Sequence, residues 1–178
     1  MNQLLKDSTL FRVLDVFFDN PIKDFQLREI SRMIGLTHKS VLIYLNQLLK
    51  LELIKINTKT LYKSYNANTE NQMFQRYKKT INLIKIYESG LVDYLYDKLM
   101  PDNIILFGGY AKGTDIKTSD IDIFIEIKEE KIDVSKFEER LGRKIHLVFE
   151  KDILNINKEL RNNIINGIVL SGNMRLFK

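Results

Sequence analysis

The sequence of 178 residues predicts an α+β protein with three parts. These are an N-terminal helical region ending in a β-hairpin, a long connecting helix, and a small mixed-sheet α/β domain, divided at residues 1–66, 67–100 and 101–178. Three observations lead to this prediction. Apolar residues recur at helical spacing through residues 10–49, and again through residues 69–99. In the last part, short apolar runs alternate with helical patterns, as they do in α/β folds.

The composition is that of an ordinary soluble protein, with 44% hydrophobic and 29% charged residues. The absence of cysteine excludes disulfides and thiolate metal sites. We expect a cytoplasmic protein without a membrane partner, because we find neither a signal-peptide core nor a run of about 20 apolar residues. The net charge is +5, and the basic surplus lies mainly in residues 1–66, which is typical of a module that binds a polyanion.

The N-terminal region is predicted to form three helices followed by a hairpin. Ser8 or Thr9 caps the first helix, which ends at the sequence DNP. The second helix ends at Gly35, a residue suited to the left-handed conformation that follows many helices. Thr37 is a good N-cap for the third helix. The sequences LIKINT and LYKSYNAN then predict two strands around a turn near residues 58–60.

This order of elements resembles the winged helix-turn-helix family over roughly residues 8–66. In that family, the second helix of the motif lies in the major groove of double-stranded DNA. The resemblance implies base contacts at the start of the third helix and phosphate contacts from the hairpin, by Thr37, His38, Lys39, Ser40, Tyr44, Lys55, Lys59 and Lys63. Winged helices also serve as modules for protein interaction or dimerisation, and that alternative stays open.

The connecting region carries apolar and aromatic residues at helical spacing through residues 69–99. Thr69 is the expected N-cap, and the pattern fits one long helix or two helices broken near Ser89 and Gly90. The region is too apolar for a free linker, so it should pack on a neighbour. A homodimer seam is the simplest neighbour.

The last third alternates strands and helices. Strands are predicted at NIILFGG, DIDIFIEI and RKIHLVFE, and helices at DVSKFEERLG and KDILNINKELRNNIING. Asp133 or Ser135 caps the first of these helices, and Gly167 ends the second, with IVLSG following it. The alternation predicts a small mixed α/β domain.

A glycine-rich turn, FGGYAKG, follows the first of these strands. Glycines permit backbone conformations and close approaches that a side chain would block. Such a turn, after a strand and at the start of a helix, presents backbone N–H groups to an anion. The turn is neither a P-loop nor a dinucleotide fingerprint, because its glycine and lysine spacing fits neither. It is therefore a candidate phosphate cradle of another type.

Two aspartates, Asp120 and Asp122, head the second strand. Side chains alternate along a strand, so both carboxylates share one face, about 7 Å apart. Carboxylates at this spacing can both reach one Mg²⁺ ion, whose oxygen shell also accommodates nucleotide phosphates. The alternative is a solvated strand start.

The glycine turn and the acid pair together resemble the DNA polymerase β-like nucleotidyltransferase superfamily, and most of all its minimal members, over about residues 100–170. The matching positions are Gly108, Gly109, Gly113, Ser119, Asp120 and Asp122. The resemblance implies that Asp120 and Asp122 are catalytic ligands of Mg²⁺ or Mn²⁺. It also implies that ATP or another nucleoside triphosphate is bound by Gly108, Gly109, Lys112, Gly113 and Ser119.

The sequence departs from the family pattern at two positions. Gly109 stands where the family usually has a serine. The family places a third acid on the next strand, and the aligned residue here is His146, which is either a metal ligand or a structural histidine. Asp115 is another candidate for the third acid, whereas Glu150 lies about 13 Å further along the strand.

Two functions are predicted. The first is a metal-dependent nucleotidyltransferase, transferring an adenylyl group from ATP to a hydroxyl, fused to a DNA-binding module. Resemblance to minimal nucleotidyltransferases implies an antitoxin-like role with a tyrosine of a HEPN-type partner as acceptor. The alternative is a DNA-binding transcriptional regulator whose degenerate nucleotidyltransferase domain only binds nucleotide or a partner. A scaffold with neither activity is a third possibility.

Overall fold

The computed structural model describes residues 8–58 and 62–173, and its chain divides into two compact units between Lys78 and Lys79. This division lies inside the predicted connecting region, residues 67–100. The three-part functional division stays a prediction.

Among the residues described, the first unit contains a three-stranded antiparallel sheet in the order β1–β3–β2, with three helices before the end of this sheet. Its elements up to the sheet's last strand are α1 (Thr9–Asp19), β1 (Phe25–Gln26), α2 (Leu27–Ile34), α3 (His38–Lys50), β2 (Ile54–Asn57) and β3 (Ser64–Ala67). The predicted helices and both hairpin strands are confirmed. β1 was not predicted, because two residues are too few to show a period of two. The predicted turn near residues 58–60 lies largely outside the described residues.

The helix ends of this unit follow local sequence signals. The Ser8 hydroxyl accepts a hydrogen bond from the Phe11 N–H at 3.3 Å, which decides the cap of α1 in favour of Ser8. Gly35 follows α2 with a φ of 69°, in the left-handed region, as predicted. Thr37 caps α3, its hydroxyl accepting from the Ser40 N–H at 3.2 Å.

The predicted connecting region forms two helices, α4 (Gln72–Ser89) and α5 (Leu91–Leu99). The two helices are separated at Gly90. Its φ of 75° lies in the left-handed region, which glycine adopts readily. The predicted cap Thr69 is wrong. The side-chain oxygen of Asn71, directly before α4, accepts hydrogen bonds from the second and third residues of the helix at 2.7 and 3.2 Å.

The second unit is built on a four-stranded mixed sheet in the order β6–β5–β4–β7. β5 and β6 are parallel, and the other pairs are antiparallel. After α5, the chain forms β4 (Asn103–Phe107), α6 (Gly108–Lys112), β5 (Ile121–Ile125), α7 (Ser135–Leu141), β6 (Ile145–Phe149), a 3₁₀ turn (Ile153–Asn155), α8 (Lys158–Ile165) and β7 (Ile168–Gly172). The fold class is therefore mixed α+β, as predicted.

Both faces of this sheet are covered. Alternate residues of β5 point to one face and pack with α5 and Phe137 of α7. The other face carries Phe124 and two residues of β4, which pack against the 3₁₀ turn and α8 through Ile153 and Ile164. This double burial explains why β4 is apolar throughout and lacks an alternating pattern.

Some details of this unit differ from the predictions. The single helix predicted over residues 151–167 is divided into the 3₁₀ turn and α8. α7 begins at Ser135 without a side-chain cap, although Asp133 accepts a hydrogen bond from the Ser135 N–H at 2.9 Å. The segment IVLSG, left without an element in the sequence prediction, is the edge strand β7. Across residues 8–58 and 62–173, no helix is long and apolar enough to cross a membrane.

Candidate active site

The glycine turn lies at the end of β4, where Gly108 begins α6 with a φ of 72°. A Cβ atom at this position would lie 2.3 Å from the Oδ2 atom of Asp122. The carboxylate therefore occupies the space that a side chain would need. Glycine is required here both by its backbone conformation and by its neighbour.

Gly109, the next residue, is under neither constraint. Its φ is not positive, and a Cβ atom would meet its nearest neighbours, in Thr114 and Asp115, at 3.7 Å, which is ordinary van der Waals contact. The site therefore has room for the serine that the family usually carries here.

The acid pair lies at the start of β5. Asp122 is the second residue of the strand, paired in register with Phe107 of β4, and its side chain is 28% exposed. Asp120 directly precedes the strand, which begins one residue later than predicted, and is exposed. Both carboxylates therefore lie at the same end of the strands as the glycine turn.

His146 lies beside this pair. It is the register partner of Asp122 on the parallel strand β6, and its Nδ1 atom is 3.2 Å from Asp122 Oδ1. Its side chain is 62% exposed, so the imidazole is accessible to a ligand. Gly108, Asp122 and His146 thus form one contiguous cluster across three neighbouring segments.

The carboxylates of Asp120 and Asp122 fit Mg²⁺, because hard oxygen donors are the ligands that this ion prefers. Among the residues that the structure describes, no three His, Cys, Asp or Glu side chains converge on a common metal position. Phosphate oxygens of a nucleotide would complete such a shell.

Asp115 is not the third acid of the site. It is 2% exposed, and its Oδ2 atom lies 2.8 Å from Nη2 of Arg143. Its Oδ1 atom accepts a hydrogen bond from Asn82 at 2.8 Å. The carboxylate is therefore committed to a buried ion pair.

Three further residues predicted to bind nucleotide lie around the turn. Gly113 ends α6 with a φ of 74°. Lys112 is exposed, and its ammonium lies 3.4 Å from the side-chain oxygen of Asn163. The Ser119 hydroxyl accepts a hydrogen bond from the Ile116 N–H at 3.0 Å, so it helps to shape the loop before the acid pair. Nucleotide contacts of these residues stay predictions.

Sequence reasoning missed two basic residues, Arg143 and Lys144, that directly precede β6. Lys144 forms an ion pair with Glu138 at 2.7 Å, which raises its pKa, and the nearby Asp120 carboxylate adds to that rise. Lys144 thus places positive charge near Asp120. The sequence signal that could have revealed them is the pair of basic residues directly before the strand that contains His146.

In the first unit, the predicted DNA-contacting residues have different environments. The hydroxyls of Thr37 and Ser40 are 2.9 Å apart at the start of α3, whereas His38 and Lys39 are exposed and Tyr44 is half-buried. These exposed positions are free to meet a ligand.

The lysines predicted to contact DNA from the hairpin also have different environments. Lys55 lies 2.5 Å from the Glu70 carboxylate and lowers its pKa. Lys63 is exposed and lies 5.5 Å from the centre of the Tyr65 ring. Lys59 is outside the described residues.

Two exposed arginines of α2, Arg28 and Arg32, were also missed. With Gln26, Glu29 and His38 they line a groove of about 430 Å³ beside the start of α3. The groove adds positive charge next to the predicted DNA-contacting residues.

Comparison with known proteins connects this site to a family. Residues 89–171, which include the glycine turn, the acid pair and His146, match the nucleotidyltransferase domain family. Two proteins of Methanocaldococcus jannaschii, both named "Putative protein adenylyltransferase", are similar. One is 33% identical over 97 residues, which cover 49% of this chain and 97% of that protein. The other is 43% identical over 49 residues, or 28% of this chain and 48% of that protein. The chain therefore belongs to the nucleotidyltransferase family and is a nucleotidyltransferase enzyme.

Proposed function

We propose that this enzyme transfers an adenylyl group from ATP to a hydroxyl group on a partner protein. The observation that carries the proposal is the cluster of Gly108, Asp122 and His146, with Asp120 beside it. The cluster lies at one end of the strands β4, β5 and β6. The names of the two archaeal relatives support adenylyl transfer to a protein.

In this reaction a bond forms between the acceptor oxygen and the α-phosphorus of ATP, the bond to pyrophosphate breaks, and the proton of the acceptor hydroxyl is released to water. Asp120 and Asp122 would hold Mg²⁺ or Mn²⁺, which supplies positive charge against the phosphates. The backbone at Gly108 and Gly109 and the Lys112 ammonium bind the triphosphate. Catalysis then consists mainly of positioning and charge stabilisation.

The acceptor we propose is a tyrosine of a HEPN-type partner, which gives the enzyme an antitoxin-like role. The test is incubation of the purified full chain with Mg²⁺ or Mn²⁺, ATP labelled at the α-phosphate, and candidate acceptors. Label should enter the partner with the wild type and not with Asp120→Ala. Equal labelling by both proteins, or none of any acceptor, would refute the proposal.

We further propose that the first unit is a winged helix-turn-helix module that binds double-stranded DNA. Its order of three helices and an antiparallel sheet, the exposed His38 and Lys39, and the groove with Arg28 and Arg32 support this. Binding should weaken steeply with salt, because cationic side chains release counterions from phosphates. Absence of binding to any duplex at low salt would refute it.

A second candidate function rests on His146. An imidazole at the position of the third acid suits Mg²⁺ poorly, which supports a DNA-binding regulator whose second unit only binds nucleotide or a partner. Retention of ATP without transfer to any acceptor distinguishes this candidate. The exposed aromatic residues of α4 and α5, including Tyr77, Tyr87 and Tyr96, support a homodimer, to be tested by sedimentation.

A further inference from the structure

The side chain of Arg143 lies almost wholly inside the second unit, with 8% of its surface exposed. Besides its ion pair with Asp115, its Nη1 atom donates hydrogen bonds to two backbone carbonyls, those of Ile116 and Ser119. The bond to Ser119 measures 3.0 Å. One guanidinium thus holds three groups of the loop that links the glycine turn to the acid pair.

The groups around Arg143 also contact α4 and α6. Asn82 of α4 donates to Asp115 at 2.8 Å and to the carbonyl of Tyr110 at 3.0 Å. The Tyr110 ring, on α6, lies 5.3 Å from the Arg143 guanidinium carbon. The loop is therefore fixed to α4, α6 and the segment before β6 through buried polar contacts.

Two of the backbone contacts in this region are made directly before and after Asp120. The carbonyl that Arg143 holds at Ser119 belongs to the peptide bond that joins Ser119 to Asp120. On the other side, the Ile121 N–H donates to the Lys144 carbonyl at 2.9 Å. The backbone around Asp120 is thus held from both directions, by residues adjacent in the sequence before β6. Within the loop, Lys117 and Thr118 are exposed and provide little packing.

We propose that Arg143 is a positioning residue for Asp120, acting through the loop of residues 113–119. This inference rests on the proposed function, because it assumes that the acid pair binds metal with the nucleotide. A planar guanidinium directs several donors at fixed angles, whereas a lysine ammonium is a point charge on a flexible stem. Lysine can keep the ion pair with Asp115 but cannot hold both carbonyls in the same geometry.

The experiment measures binding of Mn²⁺ to the full chain with and without a non-hydrolysable ATP analogue, by the electron paramagnetic resonance signal of free Mn²⁺. Thermal unfolding of the same samples is recorded. The variant is Arg143→Lys. The matched control is Arg140→Lys, because Arg140 is also an arginine of the second unit that donates to a backbone carbonyl, that of Ser89, at 2.6 Å.

For Arg143→Lys, we expect Mn²⁺ affinity to fall by about 10- to 100-fold, the range for residues that orient metal ligands. Arg140→Lys should bind Mn²⁺ like the wild type, even if its melting temperature falls as far. Wild-type affinity in Arg143→Lys, or an equal loss in both variants, would overturn the positioning role. If the wild type itself takes up no Mn²⁺, the proposed function fails and the inference fails with it.

A second variant covers the case in which Arg143→Lys does not fold. Removing one member of a buried ion pair leaves an uncompensated charge, whereas removing both members does not. The double substitution Asp115→Leu with Arg143→Met should fold and still bind Mn²⁺ weakly, because both carbonyl contacts are lost. Wild-type affinity in this protein would also overturn the proposal.

Discussion

His146 lies directly beside Asp122 on the neighbouring parallel strand, with 3.2 Å between its Nδ1 atom and Asp122 Oδ1. The family resemblance implies a third acid at this position, where this chain has an imidazole. We therefore predict that this pair influences which metal ion binds at the site.

Replacing His146 by aspartate should raise the Mg²⁺-dependent rate of nucleotidyl transfer. A third carboxylate adds the oxygen donor that Mg²⁺ prefers, and we expect a gain of about tenfold or more, the scale on which neighbours of metal ligands act. Initial rates at varied Mg²⁺ measure it. His146→Asn, which has the same shape without the charge, should show no gain. A rate equal to that of the wild type in His146→Asp would contradict the prediction.

Mn²⁺ should support wild-type activity better than Mg²⁺, because an imidazole nitrogen suits Mn²⁺ better than it suits Mg²⁺. Pulsed electron paramagnetic resonance of bound Mn²⁺ should show coupling to a nitrogen nucleus of the imidazole. This coupling should disappear in His146→Asn. Its persistence in that variant would mean that the nitrogen belongs to another group.

The two glycines of the turn should respond differently to substitution. Gly108→Ala places a Cβ atom 2.3 Å from Asp122 Oδ2 and a side chain at a φ of 72°. The backbone strain alone destabilises by about 1–2 kcal/mol, and the carboxylate must move, so metal binding and activity should be lost. Thermal unfolding and Mn²⁺ binding measure both effects.

Gly109→Ser should instead fold like the wild type and bind ATP more tightly, because the space is open and the hydroxyl can bond to a phosphate. Gly109→Ala is the control without the hydroxyl. Calorimetric titration with ATP distinguishes the two variants. Loss of folding in Gly109→Ser would show that the turn is more tightly packed than these distances indicate.

Charge reversal at the start of α3 should weaken DNA binding. Lys39 is exposed there, and Lys39→Glu should lower the affinity for duplex DNA and reduce the slope of log affinity against log salt by about one or more. Fluorescence anisotropy over a salt series measures both quantities. Lys50→Glu, at the other end of the same helix, is the matched control and should have a smaller effect. Equal effects at both ends would argue against specific docking of the helix start.

Stability should depend on pH through Glu138. Hydrogen bonds from Lys144 and from the Ile145 N–H lower the pKa of this carboxyl below 4.5. A depressed pKa in the folded state means that the contribution is complete above 4.5 and is lost as pH falls through the lowered value. The melting temperature of Glu138→Gln should therefore lie below that of the wild type at neutral pH and approach it in acid. Glu139→Gln, at an exposed neighbour, should show no such convergence.

Local signals in the sequence were sufficient for many of the elements. Ser8, Gly35 and Thr37 mark helix ends through interactions within three or four residues, and each acts as expected. Gly90 likewise marks the break between α4 and α5. The alternating pattern of DIDIFIEI also correctly predicted that Asp122 lies in a strand.

Longer-range relationships could not be predicted. The bond from Asn82 to Asp115 and the ion pair from Asp115 to Arg143 each join segments far apart in sequence, so no local pattern indicates them. For this reason the sequence left Asp115 as a candidate for the third acid. The strand β7 was missed because its pairing with β4, and not its own composition, determines its conformation.

The open space at Gly109 has a practical consequence, because the chain contains no cysteine. A Gly109→Cys substitution would give the protein a single thiol, beside the carboxylates and within the turn. A ligand bound at the turn should slow the modification of that thiol by an alkylating reagent, so the rate of modification would report binding. Ligands could be screened in this way without knowledge of the acceptor.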